Sequence, residues 1–137
     1  MPGYSKRSLT EKLGIPSGSR VVVRGEPRPY SSMVGSLPEG TAVTSRLSTG
    51  MPFIHQFARR RSDLKAEFPR LASALADQGM LWVSWPKKAS GVETDLNENI
   101  VRELGLAQGL VDVKVCAVDE VWSGLKFVRR VANRKPQ

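Results

Sequence analysis

Cysteine is almost absent from this sequence, with Cys116 standing alone. One thiol cannot close a disulfide within the chain, so the fold must rest on packing, and the usage suits a reducing cytoplasm. Histidine is equally scarce, His55 being the single one. A metal site needs several converging ligands, and no His/Cys cluster exists to supply them. No apolar run approaches the roughly 20 residues of a membrane-spanning helix. The opening stretch MPGYSKRSLTEKLGI lacks the apolar segment of a signal peptide or anchor, so neither is expected there. Internal repeats and low-complexity segments are also missing.

What is present fits one globular domain of 137 residues, with 40% apolar and 25% charged side chains. Twenty-one Lys and Arg outnumber thirteen Asp and Glu, for a formal charge of +8. Such a surface attracts anionic small molecules, acidic proteins or nucleic acid, and charge alone does not choose among them.

Near the start, Ser8 and Glu11 have capping-box spacing, Leu9 and Leu13 share a helical face, and Gly14 is a stop. The continuous run Arg20 to Arg24 (RVVVR) predicts a strand covered on both faces. Residues Tyr30 to Leu37 leave a short helix open. Thr41 to Leu47 reads as a weaker strand and Phe53 to Ala58 as a third. Ser62 to Gln78 repeats Leu64, Phe68, Leu71 and Leu75 at helical spacing, with Pro69 expected to kink or restart the helix. Gly79 ends it, and Met80 to Trp85 is a fourth, apolar strand. Asp95 to Leu104 reads as a helix with Asp95 and Glu98 at cap spacing. Leu110 to Val118 and Leu125 to Val131 are the last strands, and their short link requires an antiparallel pair.

Strands alternating with helices predict a small Rossmann-like, three-layer α/β domain over residues 1–131. Its sheet is mostly parallel, with an antiparallel C-terminal hairpin. Residues 132–137 form a polar tail expected to fray. The most secure part runs from Phe53 to Val131, around LWVSWPKK.

The terminal antiparallel pair, with LADQGMLWVSWP as helix end, turn and strand, resembles the fold of S-adenosylmethionine-dependent methyltransferases. The runs YSKRSLTEKLGI, LWVSWPKKASGVETDLNENIVRE and GLVDVKVCAVDEVWSGLKFV resemble the bacterial family catalogued as domain of unknown function 3052. That likeness covers nearly the whole chain. It implies a Rossmann-like domain and no established activity, ligand or catalytic residue.

Open α/β sheets bind ligands beyond the carboxyl ends of their strands. Those ends carry Arg24 and Arg28 after the first strand and Arg46 after the second. Arg59, Arg60 and Arg61 follow the third, and Lys87 and Lys88 the fourth. With Ser90 and Thr94 as hydrogen-bonding neighbours, these residues point to an anion-binding cleft. The bland alternative is a set of solvated loop charges.

Methyl transfer is the enzymatic alternative, and it needs a glycine-rich turn after the first strand and an acid after the second. The chain offers one glycine, Gly25, followed by Pro27 and Pro29, and then Arg46 where the acid belongs. No cofactor is therefore assigned, and the expectation leans from catalysis to binding. Nucleic-acid binding draws on Trp85 beside Lys87 and Lys88 and on Arg129, Arg130, Arg134 and Lys135, without a recognised motif. Trp82, Trp85 and Trp122 are expected in the core. His55, between Phe53 and Phe57, is expected to be packed. Cys116 is expected to be inert, and Asp119 and Glu120 to lie in a solvated turn.

Overall fold

A computed structural model describes residues 8–131. The polar tail at 132–137, with Arg134 and Lys135, lies outside the described residues.

The chain begins with α1 (Leu9–Leu13), started by the expected capping box of Ser8 and Glu11 and closed by left-handed Gly14. Then come β1 (Arg20–Arg24), α2 (Tyr30–Val34), β2 (Ala42–Thr44), β3 (Met51–Phe57) and α3 (Arg61–Ala74). The second half holds β4 (Leu75–Pro86), a 3-10 turn (Lys88–Ser90), α4 (Glu98–Leu106), β5 (Leu110–Ala117) and β6 (Trp122–Arg129). The six strands form one sheet in the order β2-β1-β3-β4-β6-β5. Neighbours among β2, β1, β3 and β4 run parallel. β6 is antiparallel to both β4 and β5. This is the α/β domain with a C-terminal hairpin that the alternation of elements predicts.

Two cores sandwich the sheet. On one face, Val22, Ile54, Leu81, Val83, Leu125 and Phe127 meet Leu64, Phe68 and Leu71 of α3 and Val101 of α4. On the other, Val21, Val23, Phe53, Phe57 and Trp82 meet Leu13 of α1 and Tyr30, Met33 and Val34 of α2. The alternating side chains of β1 and β3 serve both cores, which is why those strands read as unbroken apolar runs. All three tryptophans are buried. Trp82 also donates its indole N–H to the Leu13 carbonyl at 2.8 Å, fixing the end of α1.

Several boundaries differ from the sequence reading, each for a physical reason. β2 keeps only Ala42–Thr44, and Leu47 leaves the strand to pack on the α3 side of the sheet. α3 stops at Ala74 rather than Gln78, and Leu75 already pairs with Met51. The Arg129 guanidinium, arriving from β6, takes the Ala72 carbonyl at 2.6 Å and the Leu75 carbonyl at 2.6 Å. The Ala72 carbonyl also accepts from the Leu75 N–H, so the guanidinium adds a second donor at the helix end. β4 next pairs Met80 with Phe53, and the register shifts around Pro52, which has no N–H for the ladder. α3 runs through Pro69 as one helix, so of the expected kink or restart the restart does not occur.

α4 begins after Asn97, whose Oδ1 accepts from Ile100 N at 2.9 Å. Asp95 instead caps α3, accepting from Arg61 N at 2.6 Å. β6 begins at Trp122 rather than Leu125. Among the described residues, no helix is long and apolar enough to cross a membrane.

Candidate functional site

From β1 the chain goes to β2 on one side and then to β3 on the other. Two neighbouring strands whose connections lead to opposite sides leave a crevice at their carboxyl ends, the usual ligand position in such sheets. A cleft of about 580 Å³ lies at this point. Gly25 after β1 and the segment 56–60 at the end of β3 form one side. Asp63, Leu64 and Glu67 of α3, the loop 93–95 and Trp122 complete it.

Gly25 has φ +74, and a Cβ there would stand 2.5 Å from the Phe57 carbonyl oxygen. The missing side chain therefore lets the first turn close against β3. Arg24, just before it, donates to Glu67 Oε1 at 2.8 Å, to the Ser45 carbonyl at 3.0 Å and to Gln56 Oε1 at 3.2 Å. Gln56 is buried and donates onward to the Phe57 carbonyl at 2.9 Å. The wall between β1 and β3 is thus a closed polar network.

Of the cations expected to converge, Arg59 and Arg60 line the cleft. Thr94 lines it too, with its hydroxyl donating to the Arg59 carbonyl at 2.6 Å. The others lie elsewhere. Arg24 is held in its network, and Arg28 pairs with Asp119 at 3.2 Å. Arg46 is exposed beyond β2, and Arg61 contributes its backbone N–H to Asp95. Lys87 and Lys88 belong to the loop after β4, where Ser90 Oγ donates to the Lys87 carbonyl at 2.6 Å. None of these lines the cleft.

Sequence reasoning missed the carboxylates. Asp63, Glu67, Glu93 and Asp95 all line the same cleft. Glu67 is taken by Arg24 and Arg70, and Asp95 by the start of α3. Among the described residues, Asp63 and Glu93 line the cleft without a side-chain partner, as do Arg59 and Arg60. The cleft therefore offers free charge of both signs.

His55 lies outside it, fully buried on the opposite face of the sheet. Its Nδ1 is 2.7 Å from Tyr30 Oη and its Nε2 is 2.7 Å from Ser84 Oγ. Its ring stacks on Phe57 with centroids 4.3 Å apart. Burial pushes the imidazole pKa down to about 3 and the Tyr30 phenol well above its ordinary value. Serine, histidine and tyrosine in a chain suggest a nucleophile and base, but Ser84 has no exposed surface for a substrate to reach. The packed role expected for His55 is what its surroundings give. Among the described residues no group of three His, Cys, Asp or Glu is placed to hold a metal.

No family model matches the chain, and no curated protein matches it. Solved structures match in fold. A SAM-dependent methyltransferase from Aquifex aeolicus is 15% identical over 85% of this chain and 85% of its own, with TM-score 0.58. Magnesium protoporphyrin IX methyltransferase from Synechocystis PCC 6803 with bound SAM gives 10% identity over 89% and 74%, with TM-score 0.57. A possible exported protein from Bordetella parapertussis gives 10% over 90% and 66%, with TM-score 0.60. Against the Synechocystis enzyme with bound SAH, the chain spans 55% of that protein's length. Identities this low show a methyltransferase-like fold and nothing about chemistry.

The residues at the cleft do not make the usual grip on an adenosyl cofactor. The first turn has one glycine, and its Cβ direction points at the Phe57 carbonyl. Pro27 and Pro29 lack backbone donors. The exit of β2 presents Ser45 and Arg46, neither of them an acid.

Proposed function

We propose that the chain is a methyltransferase-like domain that binds a small charged molecule in its strand-end cleft without transferring a group. The observation that carries this reading is Arg59 and Arg60, which line the cleft and whose guanidinium groups have no side-chain partner among the described residues. Arginine forks suit carboxylate or phosphate groups. Asp63 and Glu93 favour a ligand that also has a positive or hydrogen-donating group. A polyanion would meet four lining carboxylates. The resemblance to domain of unknown function 3052 belongs to this proposal and brings no activity with it.

A thermal-shift screen of amino acids, small carboxylates and phosphate esters tests the reading, because a ligand of the folded state raises the melting temperature. Replacing Arg59 and Arg60 by Glu should abolish the shift given by any hit. A folded double variant with unchanged affinity would sink the proposal.

Methyl transfer from S-adenosylmethionine is the second reading, favoured by the fold's likeness to structures that hold SAM or SAH. It requires a melting-temperature rise with S-adenosylmethionine itself. No shift at saturating cofactor removes it.

A further inference from the structure

We infer that Arg24, which stands beside the cleft and holds its lining residues Gln56 and Glu67, is a specificity-determining residue that closes off a nucleoside subsite, so that only ligands without a ribose are admitted. This rests on the cleft being a ligand site. In nucleotide-binding sheets of this kind, an acid near the end of the second strand accepts hydrogen bonds from the sugar hydroxyls. Here the gap between the ends of β1 and β2 holds a guanidinium instead. Nη1 of Arg24 reaches the Ser45 carbonyl, just past β2, at 3.0 Å. Nη2 reaches Glu67 on α3 at 2.8 Å, and Nε reaches Gln56 on β3 at 3.2 Å.

One side chain thus ties β1, the exit of β2, β3 and α3 together. Its partners are themselves held. Gln56 donates to the Phe57 carbonyl, and Glu67 also accepts from Arg70 at 3.2 Å. A planar fork with oriented acceptors on three sides has little freedom to swing away. A ribose entering this gap would have to break those bonds, and it would meet a group that donates and cannot accept. Arg59 and Arg60 stand outside the network, so the mouth of the cleft stays open to a short ligand.

Calorimetric titration with adenosine tests the inference. The parent chain should give no binding heat, and Arg24→Ala should bind with a Kd tighter than about 1 mM. Adenosine binding to the parent as tight as to the variant overturns the inference, and so does a folded Arg24→Ala that ignores adenosine. Should Arg24→Ala fail to fold, Arg24→Met keeps the aliphatic stem for packing and removes the donating fork. It should bind adenosine at least about tenfold more tightly than the parent, and no gain overturns the inference. The thermal-shift screen reads Arg59 and Arg60 in the parent, while adenosine reads the gap beside Arg24 in the variants. Each can therefore fail without the other.

Discussion

The hydroxyl of Tyr30 and Nδ1 of His55 lie 2.7 Å apart, with no exposed imidazole surface between them and solvent. Ser84 Oγ lies at 2.7 Å from the other ring nitrogen, so a neutral imidazole donates on one side and accepts on the other. A protonated ring would be a donor on both sides and would carry a charge in an aromatic core.

Stability should therefore fall as the solution is acidified. Burial lowers the His55 pKa from 6.5 in the unfolded chain to about 3 in the folded one. Between those values the unfolded chain binds a proton that the folded chain refuses. The contribution is complete above pH 6.5 and is lost progressively down to about pH 3, by up to roughly 1.4 kcal/mol per pH unit. Urea denaturation from pH 7 to 4 measures the slope. His55→Phe should flatten it, and an unchanged slope in that variant would assign the effect to carboxylates. Tyr30→Phe keeps the ring packing and leaves one imidazole nitrogen unpaired, for a loss of about 1–3 kcal/mol at pH 7.

Gly105→Ala should destabilise the chain although alanine is the better helix former. A Cβ at Gly105 would lie 2.1 Å from Cε1 of Phe127 and 2.5 Å from its Cζ. Helix propensity favours alanine by about 1 kcal/mol, while forcing an added methyl into a packed core costs about 1–3 kcal/mol. Phe127 is fully buried and edge-on to Phe68, with centroids 5.6 Å apart, so moving its ring disturbs that packing. Chemical denaturation decides the sign, and a stabilised variant would show that this packing gives way.

Much of the fold was legible because its signals are local. Ser8 and Glu11 sit three residues apart and cap each other, and RVVVR shows two covered faces by its unbroken apolar run. The short link between the last two strands left only an antiparallel pairing. The errors arise where a distant residue decides. LASALADQ continues a helical pattern, but Arg129, 54 residues beyond Leu75, captures the carbonyls that end α3. The same holds at the cleft. Counting cations after strands located Arg59 and Arg60, yet it could not show Arg24 committed to Glu67, 43 residues away. Asp63 and Glu93 lie 30 residues apart in sequence, and only the packing of α3 against loop 93–95 brings them to one opening.

Asp95→Ala should loosen the start of α3 rather than that of α4. Its Oδ1 accepts from Arg61 N, whereas α4 has its own cap in Asn97. Loss of such a cap costs about 0.5–2 kcal/mol. Amide exchange should quicken at the first turn of α3 and stay unchanged in α4. Faster exchange confined to α4 would contradict the assignment.

Gly25→Ala should lower stability with no ligand present. At φ +74 an alanine adopts the left-handed backbone conformation, which costs about 1–2 kcal/mol. The new Cβ would also sit 2.5 Å from the backbone oxygen of Phe57, a residue held in the parallel ladder with Ser84 of β4. Had this glycine been spared a side chain for a ligand, alanine there would weaken binding and cost little more than its own backbone strain. The clash with Phe57 makes the loss larger, and it should appear in the denaturation midpoint before any ligand is added. A loss confined to the cost of the positive φ would mean that the turn can lift off β3.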